Sequence, residues 1–131
     1  MRKVKAFTLT ELLVVLIIIG ILVLLAVPNL MPLISRARST EAKLQLDFLH
    51  QLESSYFMMY SRYSNDFEEI GYEHVKLVSE GGQANYIIEV VEASVNSFKA
   101  KATAIVDFDG DGTFNVWEID QDKNLREVVK D

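Results

Sequence analysis

The chain has 131 residues, with Lys+Arg 13 against Asp+Glu 19 and a net charge of −6, the length of one ordinary domain. The absence of Cys excludes a disulfide framework, a thiolate zinc site and a cysteine nucleophile. An acidic balance with scattered basic residues argues against nucleic acid, which requires a clustered basic face to contact phosphates. The charges are also unevenly placed: between Ala6 and Arg36 only Glu11 is charged. The averaged composition therefore conceals an apolar end and an acidic, water-soluble end, which excludes a simple cytosolic globule.

Arg2, Lys3 and Lys5 make the first residues basic, and the chain then turns apolar. From Leu12 to Val27 no side chain is polar or charged, and Phe7, Leu9, Leu30 and Met31 extend the run. At about 1.5 Å per residue, a helix from Phe7 to Leu30 reaches roughly 36 Å, enough for a hydrocarbon core of about 30 Å. Basic residues ahead of such a segment predict a cytoplasmic amino terminus, with everything after Leu30 outside. The run is longer than the core of a secretory signal peptide, and its exit, from Val27 to Pro32, offers no small-x-small cleavage site. Glu11 stands just inside it. A carboxylate there costs about 2.5–3.5 kcal/mol or more, which marks an intramembrane acid as a functional candidate. Thr8-Leu9-Thr10-Glu11 also fits a capping box, in which Glu11 closes back onto the Thr8 N–H.

The stretch Lys5-Ala6-Phe7-Thr8-Leu9-Thr10-Glu11, followed by the apolar run and Pro28, resembles the type III signal of type IV pilins and their pseudopilin relatives. The resemblance covers residues 1–35. It implies that a prepilin peptidase cuts between Ala6 and Phe7 on the cytoplasmic side and methylates the new Phe7 amine. Glu11 then becomes the fifth residue of the mature chain. The family usually carries Gly before the cut, where this chain has Ala6. The resemblance also implies a homo-oligomeric helical filament assembled by inner-membrane machinery, in which Glu11 pairs with the Phe7 amine of a neighbouring subunit. Buried apart, the two charges are each costly; paired, they compensate much of that cost and fix axial register. Gly20, Pro28 and Pro32 weaken the helix, proline by removing a backbone bond and clashing with the preceding turn. In a monomer this predicts a kink; the resemblance implies that the stretch from Gly20 to Pro28 can lose its helix when subunits pack.

Beyond Pro32, Ala37, Leu44, Phe48, Leu52, Tyr56, Met59 and Tyr63 recur at helical spacings. Thr40, Glu41, Lys43, Gln45, Asp47, Gln51 and Glu53 take much of the opposite face. The first helix is expected to continue to about Tyr63, with the apolar stripe as its core face. Ser64-Asn65-Asp66 ends it, and residues 64–84 read as a loop with a short helical turn, punctuated by Gly81-Gly82. From Tyr86 the period becomes two, with Tyr86, Ile88 and Val90 on one face. In the next run Phe98, Ala100, Ala102, Ala104 and Val106 share a face opposite Lys99, Lys101 and Thr103. Further strands are expected at Thr113–Ile119 and Leu125–Val129. The expected class is α+β: one long amino-terminal helix on a small antiparallel sheet, the architecture the resemblance implies for a pilin. The organisation is a cytoplasmic leader at 1–6, a membrane and assembly helix at 7–34, and a soluble head at 35–131 with its sheet over 85–131.

Residues 107–118 match the calcium-loop pattern D-x-[DN]-x-[DN]-G-x5-E. Asp107, Asp109 and Asp111 would supply hard oxygens, with the Thr113 carbonyl and Asn115, and Glu118 would complete the set; Gly112 makes the sharp turn. Both flanks read as strands rather than the helices of an EF-hand, so Glu118 reaches the loop only if the chain turns back. An acidic hairpin turn that holds no ion is the alternative. His50 and His74 have no nucleophile motif nearby, and no phosphate-binding or dinucleotide fingerprint is present, so catalysis is not expected.

The leading expectation is a structural subunit of a type IV pilus-like filament, first a single-pass inner-membrane precursor and then part of a surface fibre. A minor pilin or secretion pseudopilin is the alternative within the family. A membrane-anchored calcium-binding module that never polymerises is the alternative outside it.

Overall fold

A computed structural model describes residues 4–131; Met1, Arg2 and Lys3 of the expected leader lie outside the described residues. The chain divides into two units, one ending at Leu33 and the other comprising Ile34–Asp131. Helix α1 (Leu9–Tyr60) contributes to both.

In the first unit α1 runs without interruption through Gly20, Pro28 and Pro32. An 18-residue window of the helix reaches a mean hydropathy of 3.0, with none of it buried. The two prolines deprive the Leu24 and Pro28 carbonyls of their helical donors. Between them the Asn29 side-chain amide donates to the Leu25 carbonyl at 3.2 Å. This apolar surface has no partner within its own unit, and a bilayer or packed helices must cover it.

The second unit is α+β, as expected. The carboxy-terminal part of α1 lies against a four-stranded antiparallel sheet of order β1-β2-β3-β4, formed by β1 (Tyr86–Ala93), β2 (Phe98–Ala104), β3 (Val116–Asp120) and β4 (Leu125–Val129). A short helix α2 (Phe67–Ile70) and a 3-10 turn (Val78–Glu80) occupy the loop before the sheet. The alternation in β2 is complete: Phe98, Ala100, Ala102 and Ala104 are buried, and the residues between them are half-buried. Three alanines keep that face low, which lets Leu46, Leu49, Tyr56, Tyr86, Ile88 and Ile119 share one core with it.

Three expectations need correction. Helix α1 ends at Tyr60, not Tyr63, because Ser61 takes a left-handed φ of 55° and the Tyr63 N–H turns away to the Ser94 carbonyl. Strand β3 starts at Val116, not Thr113, because the Thr113 N–H closes a turn on the Asp111 carboxylate. The buried face of α1 also differs from the apolar stripe. It consists of Ser39, Ala42, Leu46, Leu49, Glu53 and Tyr56, an alternating 3-4-3-4-3 spacing. Leu44, Phe48 and Met59 are exposed by 64, 48 and 69%. Two of the six buried positions hold polar residues with partners in the fold, and the stripe read from hydrophobicity alone was rotated away from them.

Glu53 is fully buried. Its Oε2 accepts the Ser64 N–H at 3.0 Å, fastening the chain just after the helix, while Oε1 has no partner among the described residues. Burial raises its pKa above the ordinary 4.5; the Ser64 bond opposes this and the charge of Glu69 adds to it. The folded head therefore holds this proton more tightly than the unfolded chain does. The contribution of Glu53 to stability falls as pH rises from about 4.5 through the raised value. Glu53→Gln keeps an acceptor for Ser64 and removes the ionisation. The variant is expected to gain on the parent as pH rises, by at most about 1.4 kcal/mol per pH unit, the limit for one proton. Denaturant melts of both chains from pH 4 to 8, followed by Trp117 fluorescence, measure this; parallel curves would refute it.

Candidate functional site

Two places carry the residues singled out above, one in each unit. In the first, residues 4–8 are irregular and exposed, so the Ala6–Phe7 peptide bond lies in accessible chain ahead of α1. Phe7 is 90% exposed. The capping box forms: Glu11 Oε2 accepts the Thr8 N–H at 2.9 Å, and the Glu11 N–H donates to Thr8 Oγ1 at 3.2 Å. Two of the orphan donors of the helix start are thereby satisfied. The carboxylate remains exposed on the apolar end of the helix, and only one of its oxygens is used.

In the second unit the segment between β2 and β3 draws acidic side chains together. Ligand oxygens of Asp107, Asp109, Asp111 and Asp131 all lie within 4.8 Å of one another. The loop is shaped by its own backbone. Asp107 accepts the Gly110 N–H at 2.7 Å and the Gly112 N–H at 2.6 Å. Asp109 accepts from Asp111 at 3.0 Å, and Asp111 from Thr113 at 2.7 Å. Gly112 has φ 87°, a conformation that other residues adopt only with strain. The bond from Gly112, helped by other loop amides, holds the Asp107 carboxyl below its ordinary range against desolvation. Asp109 moves the other way: the Asp111 N–H lowers its pKa, but desolvation and the charges of Asp111 and Asp131 outweigh that bond.

Asp107, Asp109 and Asp111 therefore converge, and Thr113 follows directly in the turn. Asn115 and Glu118 do not join them, which corrects the expected ligand set. Glu118 stands on the outer face of β3, bonded to Arg126 at 3.2 Å, because strand geometry points it away from the loop. Asn115 is fully buried. Its Oδ1 accepts Tyr86 Oη at 2.7 Å and Ser39 Oγ at 3.4 Å, and its Nδ2 donates to Glu127 Oε1 at 2.7 Å and the Val129 carbonyl at 2.9 Å. It joins α1, β1 and β4 at one point. Burial, opposed by the Ser39 bond, pushes the Tyr86 phenol up to about 12, so Tyr86 stays a donor.

Asp131 takes the place in the cluster that Glu118 was expected to fill. It is anchored by Ser35 Oγ donating to its carbonyl at 2.7 Å and by the Phe108 N–H donating to its Oδ2 at 3.0 Å. Its Oδ1 is buried and has no partner among the described residues. No spacing rule reaches from Asp111 to Asp131; only the pairing of β3 with β4 brings the latter back.

A membrane-length apolar helix with a capped acid near its start is followed in the chain by an α+β head, the organisation of a membrane-anchored subunit. The family model for the prokaryotic N-terminal methylation motif matches residues 1–27. The type IV wide pilus major component PilA4 of Thermus thermophilus is 32% identical over 98 residues, covering 75% of this chain and 72% of that protein. The type IV major pilin protein PilA of Myxococcus xanthus is 41% identical over 68 residues, 52% of this chain; the match spans only 31% of that relative. This chain belongs to the type IV pilin family.

Proposed function

We propose that this chain is the structural subunit of a type IV pilus-like filament, made as an inner-membrane precursor and cut between Ala6 and Phe7 before assembly. The observation that carries the reading is the exposed apolar first part of α1, from Leu9 to Leu33, in which Glu11 is the one acid. Its first environment is the bilayer, and its second is the packed helices of its neighbours. Head-domain charge then forms the fibre surface. Prepilin peptidase and the assembly machinery are the partners this route requires. Electron microscopy of sheared surface material, with the amino-terminal mass of the subunit, tests it. Abundant fibres built from a chain beginning at methylated Phe7 are the expected result. Processed protein confined to the envelope would point instead to a minor pilin or pseudopilin. An unprocessed chain without fibres would refute the subunit reading.

A second reading concerns the acidic loop. We propose that Asp107, Asp109, Asp111 and Asp131 hold a calcium ion, with the Thr113 carbonyl as a further oxygen donor. The partnerless Asp131 Oδ1 supports this, as does the hard-oxygen chemistry of the set. Calcium at 100 times its dissociation constant should stabilise the head by about 2.7 kcal/mol. Because Asp109 binds its proton more tightly than usual, affinity should weaken as pH falls through the carboxylate range. Calorimetric titration of the full chain in detergent, beside Asp109→Asn, checks both. Absence of heat and of a melting shift at millimolar calcium would remove the ion.

A further inference from the structure

Residues 73–84 link α2 to β1, and none from Glu73 to Gln83 is buried. Their backbone bonds mostly to itself. The Lys76 carbonyl accepts the Gln83 and Ala84 N–H groups at 2.9 and 3.0 Å, and the Ala84 carbonyl accepts the Val78 N–H at 2.9 Å. A Cβ at Gly82 would lie 2.0 Å from the Lys76 carbonyl oxygen, so this closure requires glycine there. The segment is anchored at both ends on α1. Before it, Tyr72 Oη donates to Gln45 Oε1 at 2.9 Å. After it, the Asn85 N–H and Nδ2 donate to the Glu41 carboxylate at 2.8 and 2.9 Å.

Between these anchors, one hydrogen bond among the described residues leaves the segment: the Ile88 N–H of β1 donates to His74 Nε2 at 2.9 Å. A backbone amide can only donate, so Nε2 must offer a lone pair and the imidazole must be neutral. Its proton then sits on Nδ1, which donates to the Val75 carbonyl at 2.6 Å. The two contacts fix one tautomer. Strand β1 is an edge strand, so His74 covers an N–H on the open side of the sheet. The charged and titratable groups on the elements about the ring are Glu73 and Lys76 in its own segment, Glu41 on α1, Glu89 beside Ile88 on β1, and Tyr72. The Tyr72 ring meets the imidazole edge-on at 6.3 Å, and burial pushes its phenol up to about 12. Among the described residues none of these groups bonds to the imidazole.

We propose that His74 is an acid-released latch that holds residues 73–83 against the edge of the sheet. A proton and the Ile88 N–H compete for the one lone pair on Nε2. Imidazole is the side chain that changes charge between about pH 5 and 8, so the latched form gains as pH rises through that range and is lost as it falls. Once protonated, both ring nitrogens are donors, and the Ile88 N–H faces another N–H. The segment then swings out as a closed loop, because its internal bonds are between backbone groups that do not titrate. Release leaves an unpaired N–H on the open edge of β1. At the cell surface the cover of that edge follows the external pH.

Amide hydrogen exchange of the full chain in detergent tests it, read residue by residue by NMR from pH 7.5 to pH 5 and corrected for the intrinsic pH dependence of exchange. The expected result is a loss of Ile88 protection of about tenfold or more at the acid end, with a midpoint that coincides with titration of the His74 ring. The β2 amides should keep their protection. His74→Gln has no titrating group at this position, so its Ile88 protection, whether high or low, should change by less than about twofold over the same range. Ile88 protection that stays constant in the parent overturns the latch. So does protection that falls together with that of β2, or that falls equally in His74→Gln.

Discussion

Glu11→Gln is expected to insert into the membrane as the parent does and to yield at least 100-fold fewer surface filaments. The glutamine variant is chosen because it separates the cap seen in the structure from the proposed pairing between subunits. In the monomer its Oε2 caps the helix start by accepting the Thr8 N–H, and a glutamine oxygen can do the same. The proposed pairing with the amine of a neighbouring Phe7 needs the negative charge. Leaving that amine unpaired in apolar packing costs about 3–5 kcal/mol, and each 1.4 kcal/mol is about tenfold in an equilibrium. Glu11→Ala should lose filaments equally and also lose the cap. Subunit in the membrane fraction, set against fibre mass in sheared material, gives the comparison. If the glutamine variant assembles normally, Glu11 is a cap and nothing more.

Asn115→Ala should destabilise the head by about 4 kcal/mol, lowering its melting temperature by an amount on the order of 20 °C for a domain of this size. The reason lies in the partners left behind. Tyr86 Oη, Glu127 Oε1 and the Val129 carbonyl each depend on the Asn115 amide, and a buried polar group stripped of its partner costs about 1–3 kcal/mol. Asn115→Asp preserves the shape and keeps an acceptor for Tyr86, but sets a carboxylate against Glu127. Its loss should exceed that of alanine at neutral pH and shrink in acid, where the introduced Asp carboxyl is protonated. Asn96→Ala, on an exposed turn, should stay within about 0.5 kcal/mol of the parent. Thermal melts of the four chains at pH 7 and pH 4 decide it. A variant at position 115 as stable as the parent would mean that the network contributes little.

The amino-terminal segment was legible because its chemistry is local: the capping box, the uninterrupted apolar run and the lone acid need no knowledge of the rest of the fold. The sheet was legible for a similar reason, since alternation in Tyr86–Ala93 and Phe98–Ala104 exposes period two directly. The end of α1 and the start of β3 nevertheless differ from expectation, as does the helix face, and the last of these involves polar residues used inside. Ser39 and Glu53 sit on the buried side of α1, so a rule that sends polar residues outward rotates the face away from them. Asn115 looked like a cation ligand because its spacing from Asp107 suits one, yet tertiary contacts with Ser39, Tyr86 and Glu127 claim it for the core. Asp131 was out of reach of any motif, because its neighbourhood exists only after two hairpins have closed.

Each strand of the head pairs only with the strand before or after it in the chain, so the sheet is assembled entirely through short-range closures. Short loops lose little entropy on closing, and local contacts favour fast folding. Among the described residues the hydrogen bond that spans the most chain, Ser35 with Asp131, ties Asp131 back to α1. A head built mainly from neighbouring-strand closures has few ways to mispair with a tethered neighbour. That matters for a chain held at high local concentration in the plane of a membrane.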